Sequence, residues 1–188
     1  MSKTIFSLGP LELISRDDGV LEHVERLFAR RERPSIYDQG TNWYADWYFA
    51  LRLDEEISRS RRYEFDLCLV WLAFVFDSRF SPQRIEMKNS LANLGPDVFH
   101  QIDIPGVLNQ DQFAVCLPQS DRAAGTAVAE RLGAELAVYG PKIGLAVYPT
   151  DGTDAGDLIR TAAGNAVAVV EPEEAEESED DGLSILER

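Results

Sequence analysis

The 188-residue chain has little of what metal or disulfide chemistry requires, because it contains two cysteines and two histidines. Cys68 and Cys116 each lie within an apolar run, which predicts buried, reduced thiols rather than a disulfide. His23 and His100 are single and distant from one another in the sequence, and we find no cluster with metal-ligand spacing around them. We therefore expect no metal and no other cofactor.

Long apolar runs and positive charge are also scarce. No run approaches the roughly 18 residues of a membrane span, and residues 1–4 lack the features of a signal peptide, so we expect a cytoplasmic protein without a membrane span. Lys and Arg number 18 against 33 Asp and Glu, a net charge of −15. Because nucleic-acid binding depends on cationic contacts with phosphate, binding to DNA or RNA is not expected.

Much of the negative charge is concentrated at the C-terminus. Residues 171–188 contain nine acidic side chains and one arginine, which is −8 of the total of −15 and leaves −7 for the rest. Such a segment is too charged to fold alone, and we predict a disordered tail that ends in a small apolar patch, Leu183-Ser184-Ile185-Leu186. The remaining chain divides into an N-terminal extension, residues 1–35, and a folded domain, residues 36–170.

The spacing of apolar residues predicts the order of the elements. In the extension, residues 4–15 predict one or two short strands, and 20–33 an amphipathic helix with Arg30 and Arg31 at its C-terminal end. The domain should contain helices over 43–63, 81–94, 121–137 and 155–170, and strands over 67–76, 98–108, 112–117 and 142–148. The continuously apolar run 67–76 suits a central strand that is buried on both faces.

A hairpin between the second and third helices of the domain gives the split βαβ order of ferredoxin-like sheets, and hence an α+β fold. The polar centre of the hairpin is Asn109-Gln110-Asp111-Gln112. These residue types are common in plain turns, whose backbone shapes Asn and Asp tolerate. A carboxylate at a hairpin tip also suits a metal or phosphate site, and the sequence of the hairpin by itself leaves both interpretations open.

Taken together, these segments resemble the GGDEF domain of diguanylate cyclases over about residues 36–170. The family opens with Asp-x-Leu-Thr-Gly-Leu-x-Asn-Arg-Arg-x-Phe, and in the similar stretch here Asp38, Thr41, Tyr48 and Phe49 match. Residues 142–152, Lys-Ile-Gly-Leu-Ala-Val-Tyr-Pro-Thr-Asp-Gly, are similar to its Ser-Ile-Gly-Val-Ala-x-x-Pro-x-Asp-Gly. The resemblance implies a nucleotide-cyclase-type, antiparallel-dominated sheet flanked by helices, here with an N-terminal helical extension.

The chain departs from the family at its signature, Gly-Gly-Asp/Glu-Glu-Phe. The corresponding residues are Asn109, Gln110, Asp111, Gln112 and Phe113. In the family the glycines, which lack a Cβ, let the hairpin approach the nucleotide closely, the third position binds metal, and the following Glu belongs to the catalytic site. The resemblance therefore implies that Asp111 is retained, whereas the glycines and the catalytic carboxylate are replaced.

Other parts of the family's site are also missing. Its metal-binding positions on the first strand fall on Ala73 and Val75, and its inhibitory Arg-x-x-Asp motif falls on His100 to Asp103, without the Arg. The loop that builds the guanine pocket, expected between residues 76 and 90, has no counterpart, and the last helix lacks the family's Lys. Because this phosphoryl transfer needs Mg²⁺ held between carboxylates on two elements, Asp111 alone is insufficient.

These departures predict a catalytically inactive GGDEF-like module that acts as a regulatory or scaffolding protein through protein–protein contacts. The candidate contact residues are Trp47, Arg30, Arg31, Arg59 and Arg62. The alternative is a sensor that binds GTP or cyclic di-GMP without turnover, through Asp111, Asp103 and His100. The identity of the protein partner and the formation of a homodimer both stay open.

Overall fold

The computed structural model describes residues 7–8, 11–12, 35–78, 81–95 and 97–169. The helix predicted for 20–33, with Arg30 and Arg31, and the tail at 171–188 lie outside the described residues. In the N-terminal extension, strands β1 (Ser7–Leu8) and β2 (Leu11–Glu12) pair in antiparallel orientation. This confirms the expectation of short strands in this region.

The domain is built on one five-stranded sheet in which every pair of neighbouring strands is antiparallel. In chain order its strands are β3 (Leu67–Ala73), β4 (Ile104–Val107), β5 (Gln112–Pro118), β6 (Lys142–Tyr148) and β7 (Val167–Ala168). The spatial order is β4-β5-β3-β6-β7. The apolar strand β3 is thus interior and buried along its whole length, and the β4–β5 hairpin completes the predicted split βαβ arrangement.

In the described ranges, four α-helices cover the two faces of this sheet. They are α1 (Asp46–Tyr63), α2 (Pro82–Asn93), α3 (Arg122–Leu136) and α4 (Ala155–Gly164). Side chains of α2 and α3 share one core cluster with Val70 and Leu72 of β3, whereas α1 and α4 share the other with Leu69 and Trp71. None of the helices in the described ranges is long and apolar enough to cross a membrane.

The two cysteines belong to different core clusters. Cys68 faces α2 and α3, whereas Cys116 faces α1 and α4. Both thiols are free and fully buried, which confirms the prediction from the sequence. Burial raises the pKa of Cys68 to about 12 and raises that of Cys116 well above its ordinary value.

The predicted first helix of the domain needs two corrections. It begins at Asp46 rather than at residue 43, because the backbone of Tyr44 bonds to strand β4 instead, donating to Pro105 O at 3.1 Å and accepting from Val107 N at 2.9 Å. Its buried face is predicted in part. The apolar spacing predicts Leu51, Ile57 and Tyr63 as inward positions, and Ile57 does enter the core, whereas Leu51 and Tyr63 are 48% and 63% exposed. Phe49 and Leu53 supply the rest of the buried face.

Three other elements are shorter than predicted. Strand β3 ends at Ala73 rather than at residue 76, and the first arm of the hairpin begins at Ile104 rather than at residue 98. The last helix ends at Gly164 rather than at residue 170, and β7 follows it. The last helix is shorter because the residues after it pair with the sheet instead: Val167 pairs with Ile143 at the edge of β6.

Candidate functional site

The opening turn of the domain is held by the carboxylate of Asp38. Its Oδ2 accepts hydrogen bonds from the backbone N of Gly40, the backbone N of Thr41 and Thr41 Oγ1, each at 3.0 Å. Trp43 is buried, and its Nε1 donates to the carbonyl oxygen of Leu91 on α2 at 3.1 Å. The matched residues Asp38 and Thr41 thus order this turn, and Trp43 ties it to helix α2.

The tip of the β4–β5 hairpin is a compact turn. The backbone N of Leu108 and that of Asn109 both donate to Gln112 O, at 2.9 and 3.1 Å, and Asn109 Oδ1 accepts from the backbone N of Asp111 at 3.1 Å. Neither Asn109 nor Gln110 is among the described residues with a positive φ. The backbone of this turn therefore needs no glycine, and side chains stand where the family has none.

Asp111 is held by an arginine from helix α2. Arg84 Nε lies 2.6 Å from Asp111 Oδ1, and Arg84 Nη2 lies 2.9 Å from Asp111 Oδ2, so both carboxylate oxygens are bonded. The same guanidinium donates from Nη1 to Ser78 O at 2.8 Å and lies 5.0 Å from the ring centre of Phe76. Paired with a carboxylate and placed over an aromatic ring, the Arg84 side chain is almost completely buried.

The two positions that the resemblance assigns to metal binding, Ala73 and Val75, carry no carboxylate. Ala73 is buried and pairs with Gln112 in the sheet register, so an apolar and a neutral side chain lie side by side there. Val75 is 76% exposed, beyond the end of β3. Within the described residues, no group of three or more His, Cys, Asp or Glu side chains is arranged to hold a metal ion.

His100 and Asp103 form a local turn before strand β4. Asp103 Oδ2 accepts from the backbone N of His100 at 2.7 Å, and the Asp103 side chain is 4% exposed. The His100 ring points outward and is 74% exposed, with Nδ1 3.6 Å from Asp103 Oδ2. Asp103 therefore has a structural role in its own turn, and the exposed group at this position is the imidazole.

The aromatic residues around the start of α1 form a continuous row, here called the aromatic patch: Tyr37, Tyr44, Trp47 and Tyr48. Successive ring centres lie 5.3 Å apart for Tyr37 and Tyr44, 4.8 Å for Tyr44 and Tyr48, and 5.4 Å for Tyr48 and Trp47. Trp47 is half-buried, and its Nε1 donates to Ser35 O at 3.2 Å. Burial, with a smaller effect of Tyr37, raises the pKa of Tyr44, so its phenol stays neutral.

The two arginines predicted at the C-terminal end of α1 differ in their surroundings. Arg59 Nη1 bonds to Glu56 Oε1 at 2.9 Å, and that glutamate side chain is 4% exposed. Arg62 lies over the ring of Tyr63, 5.4 Å from its centre, and both residues are exposed. Arg59 therefore helps to neutralise a buried carboxylate, whereas Arg62 stays at the surface.

Sequence reasoning missed Arg84. It lies 27 positions before Asp111, so no local motif connects the two residues. A weaker signal was present in helix α2, where Arg84 shares the inward face with Met87 and Leu91, three and seven positions later. A charged residue at an apolar position of a helix indicates a buried partner.

The similarity of this chain to known proteins lies in its fold. No protein-family model matches the sequence, and no curated protein matches it. Solved structures do match: the GGDEF domain of DgcB from Caulobacter crescentus, in complex with c-di-GMP, aligns with a TM-score of 0.60 at 15% identity, covering 71% of this chain and 88% of that one. The chain has the fold of a GGDEF domain.

Two further structures with this GGDEF fold are similar. A sensory box/GGDEF family protein from Caulobacter crescentus aligns with a TM-score of 0.57 at 20% identity, covering 70% of this chain and 95% of that one. The diguanylate cyclase SiaD from Pseudomonas aeruginosa, solved in complex with its activator SiaC, aligns with a TM-score of 0.57 at 17% identity, covering 79% of this chain and 66% of that one. At these identities the likeness shows the fold, and function depends on the residues of the site.

Proposed function

We propose that this chain is a catalytically inactive GGDEF-like module that acts through protein–protein contacts as a regulatory or scaffolding protein. The observation that carries the proposal is the pair formed by Arg84 and Asp111. The two carboxylate oxygens that would bind a divalent cation are already bonded to a guanidinium that is 9% exposed. A metal ion would have to displace this buried charge or sit beside it, and both are unfavourable.

The surroundings of the pair support the same conclusion. Mg²⁺ prefers several oxygen ligands in near-octahedral geometry. Ala73 and Val75 offer none, and Gln112 carries an amide in place of a carboxylate. Without bound Mg²⁺ the γ-phosphate lacks the charge neutralisation on which phosphoryl transfer depends.

The inactivity can be tested by thermal denaturation with Mg²⁺ and either GTP, GDP or c-di-GMP. We expect no change in Tm, whereas a ligand at about a hundred times its Kd would add roughly 2.7 kcal/mol to the free energy of unfolding. A stabilisation that Asp111→Asn abolishes would contradict the proposal and make the chain a nucleotide sensor. Formation of c-di-GMP from GTP would contradict it more directly.

The aromatic patch is the proposed contact surface. Tyr37 is 48% exposed and the preceding Ile36 is 37% exposed, and Leu51, about one helical turn after Trp47 and Tyr48 on α1, is 48% exposed. Aromatic side chains are enriched in protein interfaces. The relative SiaD was crystallised with a protein activator, so a GGDEF fold is able to bind a protein partner.

Trp47→Ala tests this surface. We expect the variant to remain folded and to recover less of the partner when tagged protein is purified from its source cells, because a half-buried Trp supplies much of the contact energy of an interface. Tyr63→Ala is a matched control, since Tyr63 is also an aromatic side chain on α1 but lies at its other end and is 63% exposed. Equal partner recovery by the two variants would exclude the patch.

A further inference from the structure

An apolar groove runs between helix α3 and the outer edge of the sheet. Its volume is about 780 Å³, within the range of clefts that bind small molecules or a few side chains. The α3 wall includes Ala129, Gly133 and Ala134, and the sheet side includes Leu145 and Val167. We call this the α3–β6 groove. The side chains of Ala129, Gly133 and Ala134 are small and leave space along helix α3.

The chain itself enters this groove at Val169, the last described residue. The backbone N of Val169 donates to Pro141 O at 2.9 Å. A Cβ placed on Gly133 would lie 3.4 Å from Val169 Cγ2, so the valine packs directly against α3. The described part of the chain therefore ends within the groove.

The residues near the C-terminus include apolar side chains that suit the apolar α3–β6 groove. Its three bulky apolar side chains are Leu183, Ile185 and Leu186, and the residues between Val169 and Leu183 number 13. A flexible segment of that length has a root-mean-square span of about 20 Å. Helix α3, with 15 residues, is about 22 Å long, so the apolar end can reach most of the groove.

We propose that Leu183–Leu186 docks in the α3–β6 groove of the same chain. A tether of this length gives the apolar end an effective concentration in the millimolar range. Docking onto a second copy would bring together two chains that each carry −15, and this repulsion favours the intramolecular contact. The docked segment would also cover strand β7, whose Val167 is 69% exposed, and would block edge-to-edge pairing with other chains.

A nitroxide spin label on Ser184→Cys tests the proposal in the full-length protein. Labelling is selective, because Cys68 and Cys116 are buried and their raised pKa values keep them as thiols. We expect the amide resonances of Gly133 and Leu145 to lose most of their intensity. The amide of Ile85, on the exposed side of α2 and outside the groove lining, should keep its intensity.

Two variants that carry the same label serve as controls. Leu183→Ser/Leu186→Ser should restore the groove resonances because the docking side chains are gone. Val167→Asp should restore them because it places a charge on the groove floor, and it removes little buried apolar surface because Val167 is 69% exposed. The intensity loss should persist at high salt, since the contact is apolar.

Three results would overturn the proposal. The groove resonances could remain unchanged in the labelled protein, or they could recover at high salt, which would indicate an ionic contact of the acidic linker. They could also be broadened in isotope-labelled molecules that carry no spin label, when these are mixed with spin-labelled molecules without isotope label. That last result would assign the groove to a second copy of the chain.

Discussion

The substitution Asp111→Asn tests the role of the Arg84–Asp111 pair most directly. It changes a carboxylate that is 30% exposed into an amide of nearly the same shape, and it removes the negative charge of Asp111 from beside the Arg84 guanidinium, which is 9% exposed. Removing one partner of a fully buried ion pair costs about 3–5 kcal/mol. Because water reaches the Asp111 side of this pair and screens it, we expect a loss of about 2–3 kcal/mol in the free energy of unfolding.

Arg84→Met should cost less, although it removes the same ion pair. The methionine keeps much of the apolar stem, and the remaining carboxylate of Asp111 is exposed enough to be hydrated. The lost contacts include the ion pair, the hydrogen bond to Ser78 O and the stacking on Phe76, and we expect a loss of about 1–2 kcal/mol. The double variant should be more stable than the sum of the two losses predicts, because the second substitution has no ion pair left to break.

Urea denaturation of the wild type, the two single variants and the double variant measures these free energies, with circular dichroism as the signal. For a domain of this size each kcal/mol corresponds to roughly 3–5 °C in Tm, so thermal melting gives an independent check. If Asp111 were an open metal ligand, Asp111→Asn would leave the metal-free protein equally stable or make it more stable. That result, or additive losses in the double variant, would refute the assignment of Arg84 as the partner of Asp111.

Two further predictions concern packing and the cysteines. A Cβ on Gly144 would lie 2.1 Å from Ala162 O, a backbone atom that cannot move aside. Gly144→Ala should therefore lower the free energy of unfolding by at least about 3 kcal/mol. Gly164→Ala is the control and should leave it unchanged, because a Cβ there would have nothing within 4 Å. Neither Cys68 nor Cys116 should react with a thiol reagent at neutral pH until urea unfolds the protein. The folded-state pKa of Cys68 is raised to about 12. Its contribution to the free energy of unfolding should therefore be constant below the unfolded-state pKa, near 8.5, and should fall as the pH rises towards 12. Rapid alkylation of the native protein, or a free energy of unfolding that rises over that pH interval, would contradict the burial of these thiols.

Local sequence patterns were sufficient to predict most of the fold, because the spacing of apolar residues follows which side chains are buried. The run beginning at Leu67 is apolar at every position, as a strand covered on both faces must be. Strand β6 was predicted with its observed bounds, Lys142–Tyr148, because Gly140-Pro141 before it and Pro149 after it leave little choice. Errors appeared where two structures were locally acceptable, as at residues 165–170, where a short edge strand competes with one more turn of helix.

For the candidate site, too, the sequence predicted features of single positions but not contacts between residues that are distant in the chain. The replaced signature residues Asn109, Gln110 and Gln112 were visible in the sequence, since each position can be compared with the family one at a time. That Asp111 would be bonded to Arg84 was not visible, because the pair forms across two elements separated by 27 positions.

The sequence by itself thus determined which segments are buried, the order of helices and strands, and the residue types at the hairpin. The tertiary structure alone decided which charges meet. An ion pair depends on distances of about 3 Å between side chains, and those distances are set only when helix α2 packs against the sheet beside the β4–β5 hairpin. Packing also left Val169 in the α3–β6 groove, because Ile143 at the open edge of β6 took the preceding segment as its partner.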